Sequence, residues 1–331
     1  MTFGSSARES FTLVVLWLPM SVENKRQLND TQLIKGTLAT LIAAAGFGAA
    51  APVAKILYSY EITPFFMLAA RFVIASVFLW GYVFVKRKEI NFRLEKEQLC
   101  VMALIGGLLY FLTTGFYYHA IQYIPVSLHV MIFYTYPFMI NLFAFKFLKE
   151  RMPIRQIVAL FAAFGGILLI LTDLNANIQT IGIVLSVLAA VCNSAYVLAL
   201  GFRKIRDVSS IVTSAYTNTF SALTFIVYCL AKGEMNINIK PAAWLGIVFI
   251  AIVSTAIAVI ALSAGVKMIG AAKASIISTF EPIEGVLLSI ILLGEQLFIN
   301  QIFGGTLVVM AIIAINLDDR KTKRAIRHFQ P

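Results

Sequence analysis

The sequence predicts an all-α, polytopic membrane protein of ten transmembrane helices, built as a 5+5 inverted-topology repeat. Three observations predict it. First, 60% of the 331 residues are hydrophobic and 13% are charged, with mean hydropathy +0.87. A soluble chain is about half apolar and about a quarter charged. Second, the stretch from about 121 to 170 occurs twice, falling without a gap on about 266 to 315. Pro137 lands on Pro282, Glu150 on Glu295 and Gln156 on Gln301. Apolar identities are cheap in so apolar a chain, but a proline, a glutamate and a glutamine at one shared offset are not. Third, Lys and Arg gather in alternate connections, as the positive-inside rule requires.

In chain order, residues 1–33 come first and read as a cytoplasmic tail. Phe11 to Met20 is apolar but about ten residues long, and a span needs about 20. A small-residue cleavage site is not evident, so a signal peptide is disfavoured. The alternative for this segment is that translation starts at Met20 and residues 1–19 are spurious.

Ten apolar stretches follow, at about 36–58, 65–85, 98–120, 126–147, 154–172, 180–201, 209–231, 242–264, 272–293 and 298–317. At about 1.5 Å per residue each crosses roughly 30 Å of hydrocarbon. The 86–97 connection carries Lys86, Arg87, Lys88, Arg93 and Lys96, and the 202–208 connection carries Arg203, Lys204 and Arg206. Connections 59–64, 121–125, 173–179 and 294–297 carry none, and 232–241 carries Lys232 and Lys240. Both termini are therefore expected in the cytoplasm, with a basic tail at 318–331. The net charge of +11 is topology rather than a nucleic-acid footprint. The first spans of the two halves also match, with Gly36 on Gly182, Ala43 on Ala189 and Ala44 on Ala190. The units are thus 34–174 and 178–317. Five spans is an odd number, so the second copy enters the membrane from the opposite side, the arrangement many secondary transporters use.

Ordered along this frame are Arg71-Phe72, Ala120-Ile121-x-Tyr123, Ser127, Pro137, Glu150 and Gly165-Gly166, then Ser275, Glu281-Pro282, Gly294-Glu295 and Gly304-Gly305. In these residues the chain resembles the drug/metabolite transporter superfamily, in its EamA-type branch, from Gly36 to Leu317. The resemblance implies a central cavity lined by both halves and transport of small metabolites, with amino-acid and drug exporters prominent. It names no substrate.

Charges at membrane depth are the sharpest site signal, since each costs several kcal/mol unless it meets water or a partner. Glu281 lies ~13 Å into its span by helical rise. Glu284 is three residues on, on the same face one turn further. Two carboxylates this close suit a group that takes up and releases a proton; the alternative is a structural pair satisfied by neighbouring helices. Arg71 is deep and cannot neutralise, so it must find acceptors. It lines the cavity or bridges helices. Lys55 lies nearer the outer face and can snorkel. Tyr134, Asn141, Asn193 and Tyr196 offer polar handles within spans. Pro137, Pro282 and Pro52 remove backbone bonds in mid-span and are expected to kink their helices. His119 and His129 read as hydrogen-bonded residues rather than titrating ones. The aromatic run from Phe133 to Phe147 reads as lipid-facing or packing surface. Glu150 and Glu295, at span ends before a following helix, read as dipole-capping carboxylates.

No Walker A pattern, HExxH or GxSxG is present, and Cys100, Cys192 and Cys229 form no metal spacing. No cofactor and no enzymatic activity are expected. The leading expectation is a secondary active transporter of small metabolites, an exporter, with amino acids or amphipathic compounds as candidate substrates and proton or exchange coupling. It would sit in the bacterial inner membrane as a monomer or homodimer, contacting lipid and a small molecule. An intramembrane enzyme and a scaffold or receptor without transport are the competing classes.

Overall fold

The computed structural model describes residues 30–136, 139–140, 158, 161–162, 165–166, 169, 179–200, 202–205, 207–269, 274, 277–278 and 280–311. Pro137, Asn141, Glu150 and Ser275 lie outside the described residues, as do both tails.

All described regular structure is helical. Helices α1 (Asp30–Gly48) and α2 (Ala50–Tyr58) meet at Ala49. Next come α3 (Pro64–Val85), α4 (Lys96–Leu104), a π-helical segment (Ile105–Tyr110), α5 (Phe111–Ala120) and α6 (Val126–Phe133). After these follow α7 (Thr180–Leu200), α8 (Ser210–Lys232), α9 (Pro241–Ala251), a second π segment (Ile252–Ile257), α10 (Ala258–Ile269) and α11 (Phe280–Leu293). A shorter apolar helix covers Ile299–Ala311. Among the described residues, five stretches are long and apolar enough to cross a bilayer: Gln32–Tyr58, Pro64–Val85, Lys96–Ala120, Thr180–Leu200 and Pro241–Val266. The protein is a polytopic membrane protein, and its outer surface bears the large apolar side chains that lipid demands, Val77, Val85, Leu245 and Ile291 among them.

Local sequence sets the ends. The Thr63 hydroxyl accepts the Phe66 amide, and Pro64 takes the first helical position, where a missing N–H costs nothing. Glu95 and Gln98 form a reciprocal capping box at the start of α4.

Helix α8 is too polar to be counted among the apolar stretches, and its surroundings explain why it is tolerated. Its hydroxyls bond inside the bundle: Thr217 to the Thr213 carbonyl, Thr219 to Ala215 and Thr224 to Phe220. Ser221 donates to the Gly106 carbonyl and Thr224 to that of Gly107, both in the first π segment. A π turn interrupts the regular ladder, and these hydroxyls cover the carbonyls it leaves. Gly106 permits the approach, since a Cβ there would sit 2.5 Å from the Thr217 carbonyl oxygen.

The packing pairs α3 with α8, α6 with α11, α1 with α10, α5 with α7, α1 with α11 and α6 with α7. The first π segment packs on α7 and α8, and the second on α1 and α3. Exchanging α1, α3, α4–α5 and α6 for α7, α8, α9–α10 and α11 leaves this set of neighbours unchanged. The two π segments correspond under the same exchange, Ile105 matching Ile252.

Candidate functional site

Glu281 stands in the first described turn of α11 and is partly exposed. Its carboxylate hydrogen-bonds the Tyr134 hydroxyl at the end of α6. Tyr110, Tyr117 and Tyr136 lie within electrostatic reach of it. The rings continue as a wall: Tyr110 stacks on Tyr196 with centroids 4.7 Å apart, and Phe133 meets Tyr117 at 4.7 Å and Tyr136 at 5.5 Å. The described start of the aromatic run does fill packing space, with Tyr134 against the core, and it also brings Tyr134 and Tyr136 to this carboxylate.

Glu284 follows one turn later, with Oε2 buried and without a partner. Across from it, α1 breaks into α2. Pro52 has no N–H to give the Gly48 carbonyl, so the ladder is interrupted there. A Cβ on Gly48 would lie 3.1 Å from the Glu281 carbonyl oxygen and 3.3 Å from Glu284 Oε2. The interrupted part of α1–α2 thus faces the acidic turn of α11. Pro282 is buried in that same turn.

Neither basic candidate is paired with these carboxylates, although Arg71 lies within electrostatic reach of Tyr110 and Tyr117. Arg71 is only 5% exposed. Its Nε donates to Thr255 Oγ1 at 2.9 Å, and its guanidinium also donates to the Tyr118 hydroxyl. The same group lies over the rings of Phe72 and Tyr118, at 5.4 and 5.1 Å. It therefore ties α3 to α5 and to the second π segment, where Thr255 in turn bonds the Ile250 carbonyl. Lys55 donates to the Ile121 carbonyl and lies within electrostatic reach of Glu295. Among the described residues the ion pairs are Lys86–Glu89 and Lys204–Glu97, both exposed. Neither Glu281 nor Glu284 has a basic partner there.

Tyr196 hydrogen-bonds Thr217, and Asn193 is half-buried one turn earlier on α7. Glu295 does cap a helix, but not the one that follows it. Its Oε1 accepts from the Val126 amide at 2.7 Å and its Oε2 from Ser127 at 2.9 Å, so it fastens α6 from the far half of the chain. Sequence reasoning passed over Tyr117, Tyr118 and Thr255. Adjacent tyrosines at the end of an apolar stretch were the available signal for the first two; Thr255 had none.

The EamA-like transporter family matches residues 34–172 and again 180–317. The chain is 26% identical over 258 residues to the uncharacterized transporter YyaM of Bacillus subtilis, covering 75% of this chain and 81% of the relative. It is 24% identical to the uncharacterized transporter YcbK of the same organism, covering 87% and 94%. It is 23% identical to the uncharacterized inner membrane transporter YicL of Salmonella typhimurium, covering 88% and 98%. A solved crystal structure 18% identical in sequence superposes with a TM-score of 0.58 over 88% of this chain and 97% of the other, a likeness of fold alone. The relatives carry the names of transporters rather than enzymes, and two copies of one family unit account for most of the sequence: the chain belongs to the EamA-like transporter family.

Proposed function

We propose that the protein is a secondary active transporter that exports small polar or amphipathic metabolites across a bacterial inner membrane by alternating access. In this reading the chain forms ten spans in two five-span halves of opposite topology, with both ends cytoplasmic. The unchanged packing under exchange of halves supports it, as does the match between the two π segments. Two such halves rocking about a shared site present it to one side of the membrane and then the other.

The observation that carries the reading is the acidic turn of α11. Two carboxylates at membrane depth, without a basic partner among the described residues, are expensive unless they serve a mobile cation or proton. Here they face the interrupted α1–α2 junction and the ends of α5 and α6, so elements of both halves meet at them. Glu281 and Glu284 are the coupling residues in this account, exchanging a proton for substrate. Tyr134, Asn193 and Tyr196 line the path. Arg71 and Lys55 hold the surrounding helices.

The test begins with a thermal-shift screen of the purified protein against a metabolite library, since a ligand stabilises the state it binds. Ligands found this way are then followed in proteoliposomes. Transport predicts movement of a stabilising ligand against its gradient when a pH gradient is imposed. Tight binding with no flux under any gradient would instead mark a receptor.

A further inference from the structure

We propose that the site at Glu281 and Glu284 takes a protonated amine carried on an aromatic or similarly flat apolar body. This rests on the transport reading above and names the substrate class of the same site.

Charge is the first argument. The site holds two carboxyl groups, and Arg71, the deep cation among the described residues that the sequence offered, already bonds elsewhere. Arg71 is buried, donates to Thr255 and Tyr118, and is covered by the rings of Phe72 and Tyr118. Its guanidinium is thus engaged in joining helices. Lys55 is held at the Ile121 carbonyl, beside Glu295. An anionic or zwitterionic substrate would bring its own carboxylate to two others that have no ion-paired guanidinium or ammonium among the described residues.

The second argument is hydrogen-bond capacity. Glu284 Oε2 is a buried acceptor without a donor. His129 adds another from α6. Its ring is 0% exposed, with Nδ1 2.8 Å from Ser186 Oγ. The Ser186 hydroxyl gives its proton to the Gly182 carbonyl, so it must accept from Nδ1–H. Nε2 is then a lone pair, buried and unpartnered. The ring packs edge-on to Tyr117 at 4.1 Å and along Phe133, within the same aromatic wall. Two buried acceptors, Glu284 Oε2 and His129 Nε2, thus stand without a donor, and an ammonium supplies up to three donors and a positive charge.

The third argument is the wall itself. Tyr110, Tyr117 and Tyr136 lie around Glu281. Ring faces attract a cation through their quadrupole, and the same faces accept the flat body that an amine of this kind carries.

Three probes sharing one body separate the alternatives: phenethylamine, phenylalanine and phenylacetate, which are cationic, zwitterionic and anionic. Binding is measured by calorimetry on the full-length protein in detergent. Phenethylamine should bind tightest, and Glu281→Gln should weaken it roughly tenfold or more, with an unliganded melting curve confirming the fold. If Glu281→Gln does not fold, Glu284→Gln and Tyr134→Phe carry the same comparison. Failure of phenethylamine to bind, or equal or tighter binding of phenylalanine or phenylacetate, overturns the proposal. So does phenethylamine affinity that is unchanged in the variants that fold. Phenethylamine that binds as predicted but never crosses a proteoliposome membrane upholds the site and overturns the transport reading. Flux of phenylacetate without phenethylamine binding does the reverse.

Discussion

Removing the Glu295 carboxylate should loosen the start of α6 and destabilise the whole bundle. The side chain accepts two backbone amides, Val126 at 2.7 Å and Ser127 at 2.9 Å, at the positive end of that helix. An ordinary N-cap is worth about 0.5–2 kcal/mol, and a hydrogen bond to a charged group about 1.5–3 kcal/mol. Glu295 is half-buried, so the lower part of the second range applies to each bond. Glu295→Ala should therefore cost about 2–3 kcal/mol, and Glu295→Gln, which keeps one carbonyl oxygen, about 1 kcal/mol. For a chain of this length each kcal/mol moves the melting midpoint by about 2 °C. The alanine variant should thus melt ~4–6 °C lower in detergent, and the glutamine variant ~2 °C lower. Hydrogen exchange gives the local readout: the Val126 and Ser127 amides should lose protection in the alanine variant, while those in the middle of α3 should not. Wild-type exchange at both amides in Glu295→Ala would refute the cap.

Three further outcomes follow from the same geometry. Gly106→Ala should cost about 1–3 kcal/mol, because its Cβ would meet the Thr217 backbone at 2.5 Å, whereas Gly81→Ala, with nothing within 4 Å, should be neutral or slightly stabilising in the same melting assay. Arg71→Gln should lower thermal stability while leaving the preference for phenethylamine over phenylacetate intact, since the guanidinium joins helices rather than facing the pocket; a reversal of that preference would contradict its placement. In a cysteine-free background, Ser59→Cys should react with an impermeant maleimide added to cells and Glu89→Cys should not, and the opposite pattern would overturn the orientation.

Much of this was legible in one sequence because the membrane simplifies the code. Apolar stretches about 20 residues long announce helices, and Glu281, Glu284 and Arg71 stand out because charge is rare at that depth. What was not legible depends on contacts between distant residues. Arg71 had to find acceptors, but nothing local points to Thr255, 184 positions away. Capping by Glu295 was readable from its place at a span end, yet the helix it caps begins 169 residues earlier. The π segments have no signature of their own: the Gly106 and Gly107 carbonyls of the first are covered by Ser221 and Thr224 of the distant α8, and Thr255 of the second reaches back to the Ile250 carbonyl of α9. Phe133, Tyr134 and Tyr136 belong to a run that composition alone assigns to lipid or packing, and only the position of Glu281 turns those rings toward a site. The interruption at Ala49 was foreshadowed by Pro52, but that it faces Glu284 was not.

The central claim is that the acidic turn of α11 couples substrate to protons, and its most direct test follows both species at once. A ligand that stabilises the protein is loaded into proteoliposomes containing a pH-sensitive dye, and ligand and proton fluxes are recorded together. The account predicts ligand leaving as protons enter, driven uphill by an imposed pH gradient, with Glu284→Gln abolishing the gradient-driven component in a protein that still folds. Uphill movement of the ligand at the wild-type rate in Glu284→Gln, or ligand flux with no accompanying proton flux in the wild type, would contradict it.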